Sequence, residues 1–196
     1  GAITEVATEE HDTADGTYNS LIKVDSDTYA LAYTGTGDDG FIKTFTINPT
    51  TGAITAVATL EHDTADGTYN SLVQVDSDTY ALAYAGFEED GFIKTFTIPT
   101  DGSTITEVAT LEHDTADGTD NSLTKVTSDT YALAYTGTNS DGIITTFTIP
   151  TDGSAITEVT SLAHATDTDG WGKENSLVQV DSDTYALAYA GDSNDG

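Results

Sequence analysis

The chain contains no cysteine, no methionine and no arginine, and its five lysines face 34 acidic residues. Without cysteine there is no disulfide framework, no thiolate metal site and no cysteine nucleophile. Without methionine there is little that oxidises readily. A formal net charge of −29 leaves no cation cluster for phosphate, which argues against nucleic acid as a partner. The same shortage argues against an anionic membrane surface. No apolar run reaches membrane-spanning length, so membrane insertion is not expected. Proline occurs three times, and no helical periodicity extends beyond a turn. Strong acidity can signal disorder, but ten Tyr, six Phe and regular alternation oppose it here.

What is present is repetition. HDTADGTYNSL at 11–21 returns unchanged at 62–72, and HDTADGTDNSL follows at 113–123. His11, His62, His113 and His164 are spaced by 51 residues, as are Tyr29, Tyr80 and Tyr131; Tyr185 comes 54 later because of a three-residue insertion between His164 and Asn175. Counted from the first residue, the single repeat domain 1–196 divides into copies 1–51, 52–102, 103–153 and 154–196, the last cut short before an FIKTFTI segment. A period of about 50 residues is the mark of a repeat architecture. The abrupt ends suggest a piece of a longer array or a processed product.

Each copy reads as four antiparallel strands: SLVQV, YALAY, FIKTFTI and ITEVATLEHD. In Tyr29-Ala30-Leu31-Ala32-Tyr33 the bulky residues share one face and the alanines the other. A strand buried between two sheets needs such a pair of faces, large fitting against small. Asp76-Ser77-Asp78-Thr79 has turn chemistry and predicts a hairpin. The more polar Ile105–Leu111 run reads as an edge strand. The fold class is therefore all-β, built of tandem four-stranded antiparallel blades.

The period, the strand count and the two-faced YALAY strand together resemble tandem β-propeller repeats along the whole chain. The resemblance implies a β-propeller, closed by an N-terminal outer strand that joins the last blade. The alternative is an open stack of blade-like sheets in a fibre. Glu9 favours that alternative, because it stands where Leu60, Leu111 and Leu162 stand in later copies.

The recurring acidic loop is the first candidate site. Asp12, Asp15 and Asn19, and again Asp63, Asp66 and Asn70, offer hard oxygens around a glycine that permits a tight turn. An Asx turn would use the same residues without a metal. D-x-x-D-G-x-x-N followed by SLVQV is similar to the calcium loop and strand of FG-GAP repeats, although Ala14 stands where those loops carry a carboxylate. The fourth copy restores the spacing as Asp167-Thr168-Asp169-Gly170, with Glu174 and Asn175 near, and is the best calcium candidate. The second acidic loop, Gly37-Asp38-Asp39-Gly40 and its copies, reads as an Asp-Gly hairpin turn.

Lectin propellers often place an aromatic and an amide or carboxylate in each groove between blades. Tyr18 with Asn19, Tyr69 with Asn70, and Trp171 with Asn175 resemble such pairs, and an aromatic face stacks on a sugar. Asp120 takes the tyrosine's place in the third copy. His11, Asp12 and Ser20 supply triad residue types, but every full copy repeats them, and a catalytic centre is normally asymmetric. The expectation is a non-enzymatic, extracellular or cell-surface structural or adhesive module of a surface or filament protein. Its partners would be neighbouring copies of the repeat, and a carbohydrate-binding propeller is the alternative. Calcium is the one cofactor expected.

Overall fold

The computed structural model describes residues 2–166 and 171–191. Three sheets of four strands follow one another along the chain. The first holds β1 (Thr17–Lys23), β2 (Thr28–Thr34), β3 (Gly40–Ile47) and β4 (Ile54–Asp63). The second holds β5 (Thr68–Gln74), β6 (Thr79–Ala85), β7 (Gly91–Thr97) and β8 (Thr106–Asp114). The third holds β9 (Thr119–Lys125), β10 (Thr130–Thr136), β11 (Gly142–Thr148) and β12 (Thr157–Ala165). β13 (Lys173–Gln179) and β14 (Tyr185–Ala190) pair as a fourth, two-stranded sheet. All pairings are antiparallel between sequence neighbours. The first strands of successive sheets, β1, β5, β9 and β13, lie side by side. This is the blade order of a β-propeller, with the first strand of each blade innermost. Among the described residues no helix is long and apolar enough to cross a membrane.

The two faces of the YALAY strand account for how blades stack. Ala30, Ala32 and Ile42 of the first blade pack against Leu72, Tyr80, Leu82, Tyr84 and Phe96 of the second. Ala81, Ala83 and Ile93 of the second then pack against Leu123, Tyr131, Leu133, Tyr135 and Phe147 of the third. Large residues on one sheet fill the space over small ones on the next, as close packing demands. Among the described residues the bulky face of the first blade has no such neighbour. Leu21 is 60% exposed where Leu72 and Leu123 are 4% and 5%. Val180, on the small face of the fourth sheet, is 62% exposed where Val24 and Val75 are 7% and 1%.

Two sequence expectations are corrected here. Residues 2–10 form no strand and pair with no sheet; they run past the first blade, where Glu9 borders its apolar face and Val6 lies against Gly52. A glutamate in the leucine position removes the apolar contact that would seat this segment at a sheet edge. The inner strands also begin earlier than expected, at Thr17, Thr68 and Thr119, because part of the acidic loop is strand. A β-bulge lets it join: the register of β1 on β2 shifts between Thr17 and Ser20, and that of β5 on β6 between Thr68 and Ser71.

The blades are also bolted together through polar contacts. Gly67 N–H donates to the Asp38 carbonyl at 2.8 Å, and Gly118 N–H to Glu89 in the same way at 2.8 Å. Each of these glycines presses on a glycine of the preceding blade: a Cβ on Gly67 would sit 2.6 Å from the Gly40 nitrogen, and one on Gly118 the same 2.6 Å from the Gly91 nitrogen. At the opposite end the Thr44 hydroxyl donates to the Gly102 carbonyl and the Thr95 hydroxyl to the Gly153 carbonyl, both at 2.7 Å. Between inner strands, Leu72 N–H donates to Ser20 Oγ at 3.0 Å and Leu123 N–H to Ser71 Oγ at 2.9 Å.

Candidate functional site

The bulge at the start of each inner strand puts one residue in the left-handed region. These are Tyr18 (φ 50°), Tyr69 (φ 53°), Asp120 (φ 50°) and Glu174 (φ 52°). None is glycine, so each carries a steric cost of about 1–2 kcal/mol. Such strain clusters at functional sites, and here it also occurs in the connections that hold Asp38, Glu88, Glu89, Asn139 and Ser140. The four residues and the asparagines that follow them, Asn19, Asn70, Asn121 and Asn175, line one groove of about 280 Å³ where the inner strands converge. The Tyr18 and Tyr69 rings lie 4.5 Å apart. Burial and the adjacent Tyr18, Asp120 and Glu89 push the Tyr69 phenol up, so it stays a proton donor. The Thr136 hydroxyl donates to the Gly172 carbonyl at 2.6 Å, and its oxygen lies 3.2 Å from Asp120 Oδ2.

The asparagines build the groove wall. Nδ2 of Asn19, Asn70, Asn121 and Asn175 donates to the carbonyl of Gly16, Gly67, Gly118 and Gly172 at 2.7–2.8 Å. The Oδ1 atoms of Asn70, Asn121 and Asn175 are buried without a partner.

The structure reorders the aromatic candidates. Glu174, not Trp171, occupies the position of Tyr18 and Tyr69. Trp171 lies outside the groove lining, with the Lys173 ammonium 4.6 Å from its ring centroid. Asp120 and Glu174, met separately in the sequence, share one groove with two tyrosines. Aligning the copies on Gly16, Gly67, Gly118 and Gly172 would have found the pair, because the same position then reads Tyr, Tyr, Asp, Glu.

The acidic-loop candidates have other occupations. Asp12 Oδ1 accepts from Ala14 N–H at 2.9 Å, which holds its carboxyl below the usual range. Asp63 Oδ1 accepts from Ala65 N–H at 3.1 Å, and its Oδ2 accepts the Tyr84 hydroxyl at 2.9 Å. Burial, with Asp38, Asp63 and Asp39 around it, pushes the Asp66 carboxyl up. Asp15 lies in the turn that Asp12 caps. Among the described residues no three His, Asp or Glu side chains form a metal-holding group. Asp167 and Asp169 lie outside the described residues.

The recurring histidines are packing pillars. His62 and His113 stack edge-on against Tyr84 and Tyr135, 4.8 and 4.7 Å between centroids. Both rings press on the blade-joining glycines, His62 on Gly40 and His113 on Gly91. Burial lowers their pKa to about 3 and about 4. An apolar hollow of about 140 Å³ lies between Glu9, Leu21, Tyr29, Leu31, Phe45 and Ile54. Its lining matches residues that the preceding blade covers in the second and third blades, so it is a stacking face.

Strand order, blade stacking and the axial groove define a β-propeller. A model of the lactonase family of seven-bladed β-propellers matches residues 27–179, more than three quarters of the chain. The chain belongs to that family. No curated protein matches it. Among solved structures, a protein from Lactobacillus plantarum superposes with a TM-score of 0.61 at 16% identity, covering 86% of this chain and 50% of that one. A putative 6-phosphogluconolactonase from Bacteroides fragilis gives 0.55 at 13% identity, over 74% of this chain and 38% of that one. The NanB sialidase of Streptococcus pneumoniae gives 0.63 at 10% identity, over 88% of this chain and 27% of that one. These likenesses carry the fold alone, and the chain spans half or less of the length of each. Family membership overturns the expectation of a non-enzymatic structural, adhesive or filament module, because a lactonase family points to a hydrolytic enzyme. Composition misled here: tandem near-identity and acidity describe the scaffold, whereas chemistry depends on the few positions where copies differ.

Proposed function

We propose that the chain contributes to hydrolysis of a lactone in the axial groove, with Asp120 as general base. The observation that carries this reading is the broken ring of bulge residues. Copies that agree almost letter for letter place tyrosine at 18 and 69 but carboxylates at 120 and 174, all strained alike and all lining one groove. Acid–base chemistry needs that asymmetry, since identical groups cannot take opposite roles at one pH.

In the reaction Asp120 removes a proton from water as its oxygen bonds to the lactone carbonyl carbon. The negative charge that develops on the carbonyl oxygen is stabilised by the Tyr69 hydroxyl, which burial keeps protonated. The ring carbon–oxygen bond then breaks. The departing alkoxide takes a proton from the protonated Asp120, leaving a hydroxy acid and the carboxylate as it began. Glu174 orients substrate hydroxyls by accepting their hydrogen bonds.

Hydrolysis of a neutral aldonolactone, followed by base uptake at constant pH, tests the assignment. Asp120→Asn is expected to lower kcat at least a hundredfold while thermal unfolding moves little. Tyr69→Phe is expected to lower kcat about tenfold with KM nearly unchanged. An Asp120→Asn enzyme with full kcat would remove Asp120 from the role. Placement outside the cell belongs to the same reading and is supported by composition alone; cell fractionation tests it. Calcium in the loop that carries Asp167 and Asp169 is tested by melting in EDTA and in millimolar calcium, with a rise lost in Asp167→Ala.

A further inference from the structure

Among the described residues the groove is lined without a cation. It is lined by two carboxylates, two phenols and four carboxamides, and among the described lining residues there is no lysine. The chain has no arginine to add. None of its five lysines is among the residues that line the groove. Lys43, Lys94 and Lys125 donate to the carbonyls of His11, His62 and Val75. Lys173 sits over Trp171, and Lys23 pairs with Tyr29 at the far end of its strand from the bulge.

The neighbouring loops add negative charge. Asp38 and Asp39 follow Gly37 in the β2–β3 connection, and Gly67, whose N–H bonds Asp38, is three residues from Asn70 in the wall. Burial raises the Asp66 carboxyl first, and Asp38, Asp63 and Asp39 add to the rise. Glu89 stands in the equivalent connection of the second blade and acts on Tyr69.

We infer that this groove selects neutral, polyhydroxylated lactones and rejects those carrying a phosphate or carboxylate. The inference rests on the lactone reading above and deepens it. A phosphate recruited to such a site would meet carboxylates with no counter-charge, where recognition of phosphate normally uses arginine or lysine. Unit charges about 7 Å apart at an effective dielectric between that of a protein surface and of water repel enough to cost about tenfold in binding for two such neighbours. Hydroxyl groups meet the opposite situation. Carboxylate and phenol oxygens accept their hydrogen bonds, and the tyrosine faces suit the apolar side of a sugar ring.

The test compares a neutral aldonolactone with its 6-phosphate on the 196-residue chain. Rates are read at low and at high salt, and binding is read by NMR with the unreactive alditol and its 6-phosphate. The expected result is kcat/KM at least tenfold higher for the neutral lactone at low ionic strength. The gap should narrow several-fold in 0.5 M salt, because screening weakens repulsion, while the neutral rate stays flat. The variant Asp38→Asn/Asp39→Asn, outside the groove lining, should raise only the rate on the phosphate. Equal or faster turnover of the phosphate at low salt would overturn the inference. If neither lactone is hydrolysed, the lactonase assignment falls and the binding arm decides alone. Groove asparagine signals that shift with the alditol and not its phosphate support neutral selection; the reverse overturns it.

Discussion

Gly67→Ala is the sharpest probe of how the blades are joined. The glycine is not needed for its dihedral angles, since it is absent from the positive-φ residues. It is needed because the backbone of the preceding blade passes too close: the new Cβ would lie 2.6 Å from the Gly40 nitrogen and overlap the Gly40 Cα. Ordinary contacts between such atoms are about 3.5 Å or more, so the blades must part by roughly 1.4 Å to clear the Gly40 Cα, which the new Cβ would otherwise meet at 2.1 Å. Parting them weakens the Gly67 N–H bond to Asp38 and the Thr34 hydroxyl bond to the Gly67 carbonyl, each worth about 1 kcal/mol. Overpacking adds about 1–3 kcal/mol, and the stiffer unfolded chain returns about 0.5 kcal/mol. The net cost is about 2–4 kcal/mol. Gly37→Ala is the control: its φ is 79° and only Asp39 side-chain atoms lie near, at 3.8 Å or more. It should cost about 1 kcal/mol for the left-handed backbone alone. Urea unfolding separates the two. With a slope of about 2 kcal/mol per molar, the midpoint should fall by about 1–2 M for Gly67→Ala and by about 0.5 M for Gly37→Ala. Equal shifts, or a smaller one for Gly67→Ala, would refute the close approach.

Other perturbations follow from the same geometry. Unfolded histidine binds a proton near pH 6.5, whereas buried His62 and His113 do so at about 3 and about 4. Stability therefore holds above pH 6.5 and falls as pH drops below it, by about 2 kcal/mol per histidine by pH 5. Urea midpoints across this range check it, and His62→Leu should flatten the slope. Leu72→Ala, at a filled blade junction, should cost about 2–5 kcal/mol. The equivalent Leu21→Ala, on the uncovered face, should cost under about 1 kcal/mol by the same measurement.

Much of the scaffold was legible because it depends on short-range pattern. The strict alternation of Tyr80-Ala81-Leu82-Ala83-Tyr84 dictates a strand with one bulky and one small face, and blade stacking uses those faces. The polar run at 105–111 falls, from Thr106 onward, in β8, the outermost strand of its sheet. What was misread depends on contacts between copies. Gly67 reads as a turn residue, yet it answers to a backbone 27 residues earlier. Gly40 likewise reads as the glycine of a hairpin turn. In the structure a 3-10 turn spans Thr36–Asp38, the left-handed positions are Gly37 and Asp38, and Gly40 is the first residue of β3, pressed by His62. The same connection in the second blade puts Glu88 and Glu89 in the left-handed region. The groove was hidden by a count: the insertion before Asn175 drew Trp171 into the tyrosine position and left Glu174 among candidate calcium ligands. A bulge, which inserts one residue without altering composition, leaves no periodic trace to read.

The account stands on the axial groove as the seat of lactone hydrolysis. The most direct measurement is the rate of neutral aldonolactone opening by the wild-type chain and by Asp120→Asn, with unfolding curves of both. The account predicts wild-type turnover above the spontaneous rate and a loss of at least a hundredfold in the variant, with its fold intact. Turnover that survives the substitution unchanged, or a wild-type chain no faster than water, would contradict it.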